Sequence, residues 1–198
     1  MKKTPHRIAV YGPESTGKTQ LAQKLAAHFG ATLVAEYARE FWDAHGVITL
    51  EDIPGIAREQ WRREDEAAEA TCNLLGYKLP ATEGKAGNAA GLLICDTEAL
   101  TTVLWSDLLY GTCPDDIRRG AEKRCRHYAL YLLCDIDMPF AADPQRCFPD
   151  PADREKCMKV WRGALERRQL PFVDIRGNWA AREVAAIAAV KEVLASRL

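Results

Sequence analysis

The feature that most constrains this chain is the octapeptide Gly12-Pro13-Glu14-Ser15-Thr16-Gly17-Lys18-Thr19, together with its flanks. The apolar run Ile8, Ala9, Val10, Tyr11 leads in. Leu21, Ala22, Leu25, Ala26 and Phe29 come after it at three- and four-residue spacing, the period of one helix face. Strand, G-x-x-x-x-G-K-[ST], helix is the phosphate-binding P-loop in its confirming context. The glycines let the backbone wrap a phosphate so that successive N–H groups point inward, at a helix N-terminus whose dipole favours anions. In such a loop Lys18 reaches the β- and γ-phosphates, and the Thr19 hydroxyl is a ligand for Mg²⁺. The stretch is a nucleoside-triphosphate site. Gly12, Glu14, Ser15, Thr16, Gly17, Lys18 and Thr19 are expected to hold ATP.

Four further apolar runs punctuate the chain: 31–35, Leu92–Cys95, Tyr128–Cys134 and Phe172–Ile175. Helical patterns separate them. Thr49 and Asp52 have the spacing of a helix start, and Ile53, Ile56, Ala57, Gln60 and Trp61 fall on one face of the helix they would open. The opposite face, Arg62 to Glu66, reads as solvated. Asp150 before Pro151 caps a helix reaching about Arg168, and Asn178 caps the last one. Residues 76–91 are rich in Gly, Lys and Ala and read as a mobile excursion. Five buried strands alternating with helices predict an α/β fold, a three-layer P-loop NTPase with a five-stranded parallel sheet. Right-handed crossovers then gather ligands at the carboxyl ends of the strands.

At 198 residues the chain suits a single domain. Lysines and arginines number 27 against 28 acidic residues, so no global field draws it to nucleic acid or an anionic membrane. No apolar run approaches membrane-spanning length, and nothing before the first strand resembles a signal segment; a cytoplasmic location is expected. The seven cysteines form no C-x-x-C pair and read as reduced thiols. Cys113, Cys125 and His127 are the one group with metal-ligand chemistry, and they lack an evident fourth ligand.

Chemistry-bearing residues cluster after the strands. Asp96 directly succeeds the third, where P-loop proteins keep the carboxylate that organises Mg²⁺; Glu98 is its helper or alternative. Glu36 ends the second, placed to accept the proton of an attacking hydroxyl or to bind it, with Arg39 one helical turn on. Asp143, Arg146 and Arg154 lie in a proline-bearing segment between strands four and five that reads as a lid over about 139–168. Arginines there suit a migrating phosphoryl group.

In that order, GPESTGKT, EYARE, DTEALTT and the spaced AADPQR and DR of Ala141 to Arg154 resemble the ribosylnicotinamide kinase domain of the NadR proteins of NAD salvage. The resemblance spans nearly the whole chain. It implies a nucleoside-kinase-like fold with sheet order 2-3-1-4-5, and Mg²⁺- and ATP-dependent phosphorylation of the 5′-hydroxyl of nicotinamide riboside to NMN. By matching motifs, Lys18, Glu36, Asp96, Arg146 and Arg154 would be catalytic and Thr19 and Asp96 would hold Mg²⁺. Glu36, Tyr37, Arg39, Trp61 and Glu98 would meet the nucleoside. Three departures stand out. The P-loop begins at residue 12, so no adenylyltransferase domain precedes it in this sequence, and the chain is not expected to carry NMN on to NAD. Ala35 occupies the place of an aromatic that stacks on nicotinamide in the family, leaving Trp61 at a second aromatic position. The segment Gly76–Gly91 is longer than its family counterpart. Two alternatives remain open on the residues: a kinase for another nucleoside or small metabolite, and a regulatory P-loop ATPase.

Overall fold

The computed structural model describes residues 5–75 and 91–196; the segment expected to be an excursion, Gly76–Gly91, lies outside these except for Gly91. Five parallel strands form one sheet in the order β2-β3-β1-β4-β5. They are β1 (His6–Tyr11), β2 (Thr32–Val34), β3 (Leu92–Asp96), β4 (Tyr128–Cys134) and β5 (Phe172–Ile175). Central β1 pairs with β3 from His6↔Leu92 to Val10↔Asp96 and with β4 from Ile8↔Leu130 to Tyr11↔Leu133. That register brings the ends of the three middle strands to one edge, where the P-loop begins.

Strand alternation divides the core into two layers, as expected of a sheet covered on both faces. Ile8, Val10, Leu92, Ile94, Leu130 and Leu132 point to α1 (Lys18–Phe29) and α7 (Trp179–Ala195). Ala9, Tyr11, Leu93, Cys95, Tyr131 and Leu133 point the other way. On that side lie α3 (Ile53–Leu75), α4 (Ala99–Tyr110), α5 (Asp115–Arg124) and α6 (Pro151–Arg167). Helix α2 (Tyr37–His45) buries no residue and lies at the sheet's carboxyl edge.

Caps read from sequence are made. Asp150 accepts the Ala152 N–H at 2.8 Å and Asn178 that of Ala181 at 3.0 Å. Thr49 and Asp52 form a reciprocal capping box. The charged face of α3 needs correction, because Glu64 is fully buried. Steps of three and four residues from Ile53 through Ala57 and Gln60 reach Glu64 and continue to Ala68 and Thr71, all buried. Arg7 pairs with Glu64 at 3.3 Å and the Tyr128 hydroxyl donates to it at 2.6 Å. Removing one partner of so buried a pair costs about 3–5 kcal/mol. Cys95, Cys113, Cys125 and Cys134 are buried free thiols. Among the described residues no group of three His, Cys, Asp or Glu side chains is placed to hold a metal ion.

Candidate active site

Gly12 marks where the site begins. Its φ of +146° is open to glycine, and a Cβ there would sit 2.7 Å from the Cys134 carbonyl oxygen. Glycine is therefore required for the loop to pass the end of β4. Gly12 does not itself line the cavity above the sheet edge; Glu14, Ser15, Thr16, Gly17, Lys18 and Thr19 do. Helix α1 starts with Gly17 in the left-handed region (φ 77°) and has no side-chain cap. Its first N–H groups stay available, which is the arrangement an anion binds. Lys18 Nζ rests on the Pro13 carbonyl at 2.7 Å.

Two features missed in the sequence support this loop. Arg182, 1% exposed in an alanine-rich stretch of α7, donates to the carbonyls of Thr16 (3.1 Å), Gly177 (2.8 Å) and Asp135 (2.9 Å) and to the Asp137 carboxylate. Trp179 lies against Gly17, where an added Cβ would come within 2.6 Å of the indole. An arginine inside an alanine run was the only signal the sequence held.

One cavity of about 860 Å³ joins the P-loop to a second compartment. Lys18, Glu36, Arg39 and Asp96 all line it. Asp96 is buried; its Oδ1 has no hydrogen-bond partner, and the nearby Thr19 hydroxyl favours its charged form. An orphaned carboxylate oxygen beside a threonine hydroxyl at a phosphate loop is an oxygen donor set that fits Mg²⁺. Burial pushes Asp96 upward. Glu36, at the start of α2, is raised to about 7 by desolvation, with the Asp96 charge adding and Lys18 and Arg39 opposing. A carboxyl group poised there suits proton transfer near neutral pH.

The remaining expected site residues divide. Within EYARE, Glu36 and Arg39 face the cavity. Tyr37 turns away: its ring lies under the Arg63 guanidinium at 4.4 Å and its N–H donates to Gln60 Oε1 at 2.8 Å. Trp61 is also outside the cavity. It packs on Gly120 and under Arg124, 5.5 Å from its ring centroid, because one position beyond Gln60 on α3 faces α5. The aromatic walls come instead from Trp42 on α2 and from Trp105 and Tyr110 on α4, with Ala35 beside them. Glu98 does not reach the cavity either. It caps α4, accepting from Leu100 N at 2.8 Å and Thr101 N at 3.0 Å.

Burial raises Glu98 to about 8, aided by the Glu64 charge, although its cap bonds favour ionisation. A carboxyl group that holds its proton more tightly when folded stabilises the fold fully below the unfolded value of 4.5. That contribution is lost as pH rises through about 8. Denaturant unfolding at steps from pH 5 to 9 should show stability falling with pH, and the slope should be shallower in Glu98→Gln.

The stretch expected as a lid over 139–168 divides in two. From Cys157 onward α6 is a core helix, with Met158, Trp161, Ala164 and Leu165 buried. The stretch up to Arg154 does sit on the P-loop. Arg146 lines the cavity and donates to Ser15 Oγ at 3.3 Å. Arg154 binds backbone instead, the Met138 carbonyl at 3.0 Å and that of Ser15 at 3.5 Å, and faces Phe140. These bonds tie this stretch to the phosphate loop.

This architecture has known counterparts. A solved NadR protein in complex with NR superposes with a TM-score of 0.70 at 22% identity, covering 97% of this chain and 52% of that one. A NadR protein with NAD and AMP-PNP gives 0.68 at 21%, covering 96% and 49%. Thymidylate kinase from Ehrlichia chaffeensis gives 0.60 at 11%, covering 96% and 100%. The chain spans about half the length of the NadR chains. At these identities the likeness establishes a P-loop kinase-like fold. No protein of curated function matches the sequence. Among the described residues no helix is long and apolar enough to cross a membrane. The family model described as an AAA domain matches residues 7–182, and the chain belongs to that family.

Proposed function

We propose that this protein transfers the γ-phosphoryl group of ATP to a hydroxyl of a nucleoside, with nicotinamide riboside as first candidate and NMN as product. The observation that carries this reading is the junction of the cavity. Glu36 and Asp96 stand between an uncapped phosphate loop and a compartment walled by Trp42, Trp105, Ile48, Ile53 and Ile56. Arg39 is the one cation on the compartment side among the described residues, and Asp143 already pairs with it at 2.5 Å. A nucleoside suits such walls better than a nucleotide, whose phosphate would need a free cation.

The residues divide the work. Loop N–H groups and Lys18 hold the phosphates, and Arg146 approaches from above. The acceptor hydroxyl attacks the γ-phosphorus while its proton passes to the Glu36 carboxylate. The bond to the β,γ-bridging oxygen breaks, and its electron pair leaves with ADP. Thr19 and Asp96 would hold Mg²⁺, which would supply neutralisation of phosphate charge when bound. The structures solved with NR and with AMP-PNP support the choice of donor and acceptor.

The acceptor is identified by incubating the protein with Mg²⁺-ATP and, separately, nicotinamide riboside, adenosine, guanosine, cytidine and uridine. Chromatography should find NMN formed faster than any other monophosphate. Faster phosphorylation of one of the other four would reassign the acceptor, as the Ala35 departure allows.

A further inference from the structure

The lid touches both halves of the cavity through different contacts. On the phosphate side, Glu14 accepts the N–H groups of Cys147 at 3.0 Å and Phe148 at 2.6 Å, and Ser15 Oγ accepts that of Ala141 at 2.8 Å. These use lid backbone, and the Arg146 side chain adds a bond to Ser15 Oγ at 3.3 Å. On the acceptor side the contacts are between side chains. Arg39 grips Asp143 with both guanidinium nitrogens, at 3.0 and 2.5 Å, and also reaches Gln145 Oε1. The Phe148 ring stacks on Trp105 at 6.0 Å and 9°.

Asp143 also shapes its own turn. Its carboxylate accepts the Gln145 N–H at 3.0 Å, and its carbonyl accepts the Arg146 N–H at 2.9 Å. Arg146 in turn sits on Ser15. A continuous path therefore runs from Arg39, a wall of the acceptor compartment, through the Asp143 turn to the arginine above the phosphate loop. A kinase must keep water from taking the acceptor's place, because hydrolysis of ATP to ADP and phosphate uses the same machinery.

We propose that the Arg39–Asp143 pair is a positioning element that holds the segment over the phosphate loop against the acceptor wall, keeping the acceptor hydroxyl in line with the γ-phosphorus and water away from it, and so fixes the ratio of phosphoryl transfer to hydrolysis. This rests on the phosphotransfer reading above. Arg39 and Asp143 side chains are 39% and 21% exposed, and pairs this open contribute little to folding. Loss of the pair should leave the fold intact and displace the turn.

The test compares wild type, Asp143→Asn and Asp143→Glu, with ADP and phosphorylated riboside measured together. Mg²⁺-ATP is supplied with nicotinamide riboside or, in parallel, each of the four common ribonucleosides. Wild type should give one product per ADP. In Asp143→Asn transfer should fall about tenfold to a hundredfold, the effect of a small misplacement of the acceptor relative to the phosphorus it attacks. Acceptor-independent ADP release should persist with KM for ATP unchanged, so ADP exceeds product. Asp143→Glu should recover much of the wild-type ratio. A ratio that stays at one in a folded Asp143→Asn protein overturns the proposal, as does an equal fall in transfer and hydrolysis. Should that variant not fold, Asp143→Ser, which keeps a short side-chain oxygen for the Gln145 N–H and loses the ion pair, is judged by the same ratio. Wild type yielding ADP but no phosphorylated riboside from any of the five would instead remove the phosphotransfer reading, and this proposal with it.

Discussion

Lys18→Ala should lose phosphoryl transfer by roughly a hundredfold to a thousandfold, the range for removing one preorganised group that stabilises developing charge. The fold should survive, since among the described residues the one hydrogen bond of Lys18 is to the Pro13 carbonyl and the side chain lines the cavity. The α1 helix and the Arg182 braces that shape the loop do not depend on it. Thermal stabilisation by Mg²⁺-ATP should vanish in the variant, whereas its melting temperature without nucleotide should match wild type. Undiminished nucleotide-dependent stabilisation would take Lys18 out of phosphate binding.

Glu36→Gln should behave differently. Nucleotide-dependent stabilisation should persist, because Glu36 lies on the acceptor side of the junction, while transfer falls roughly a hundredfold to ten-thousandfold with loss of the general base. The pH dependence carries the sign. Desolvation raises Glu36 to about 7, so below that pH the group holds its proton and cannot accept another. Wild-type kcat/KM for the acceptor should rise about tenfold per pH unit up to that point and then level, as for one essential base. Initial rates across roughly pH 5.5–8.5, a span bracketing that titration, check this. The Gln variant should show a flat profile, and a profile as steep as wild type would move the base to another group, Asp96 being the nearest carboxylate.

How much of this was legible in the sequence depends on how local each cause is. The P-loop, the five strands and the Asp150 and Asn178 caps depend on residues adjacent in the chain, and they lie where the pattern puts them. Glu36, Arg39 and Asp96 come at or just after strand ends, so parallel topology alone carries them to one edge. Contacts set by packing between distant elements were not legible. Trp42, Trp61 and Trp105 all sit on helices, and only the angle at which α2, α3 and α4 pack decides which ring meets the cavity and which meets a neighbour. Glu64 was readable by strict helical stepping from Ile53, but its charge suggested solvent. What permits its burial is Arg7, Arg124 and Tyr128, from three other elements. The core role of α6 was not legible because its lysines and arginines hide the apolar stripe of Cys157, Met158, Trp161 and Leu165.

The central claim is that a phosphoryl group leaves ATP for a ribose hydroxyl in this cavity, and the fate of labelled γ-phosphate tests it most directly. With radiolabelled γ-phosphate on ATP, Mg²⁺ and nicotinamide riboside, the label should appear in NMN, with little inorganic phosphate and with ADP release accelerated by the riboside. Label found only in inorganic phosphate, released equally fast with nicotinamide riboside, with any of the four common ribonucleosides or with no acceptor, would contradict the claim and mark the protein as an ATPase instead.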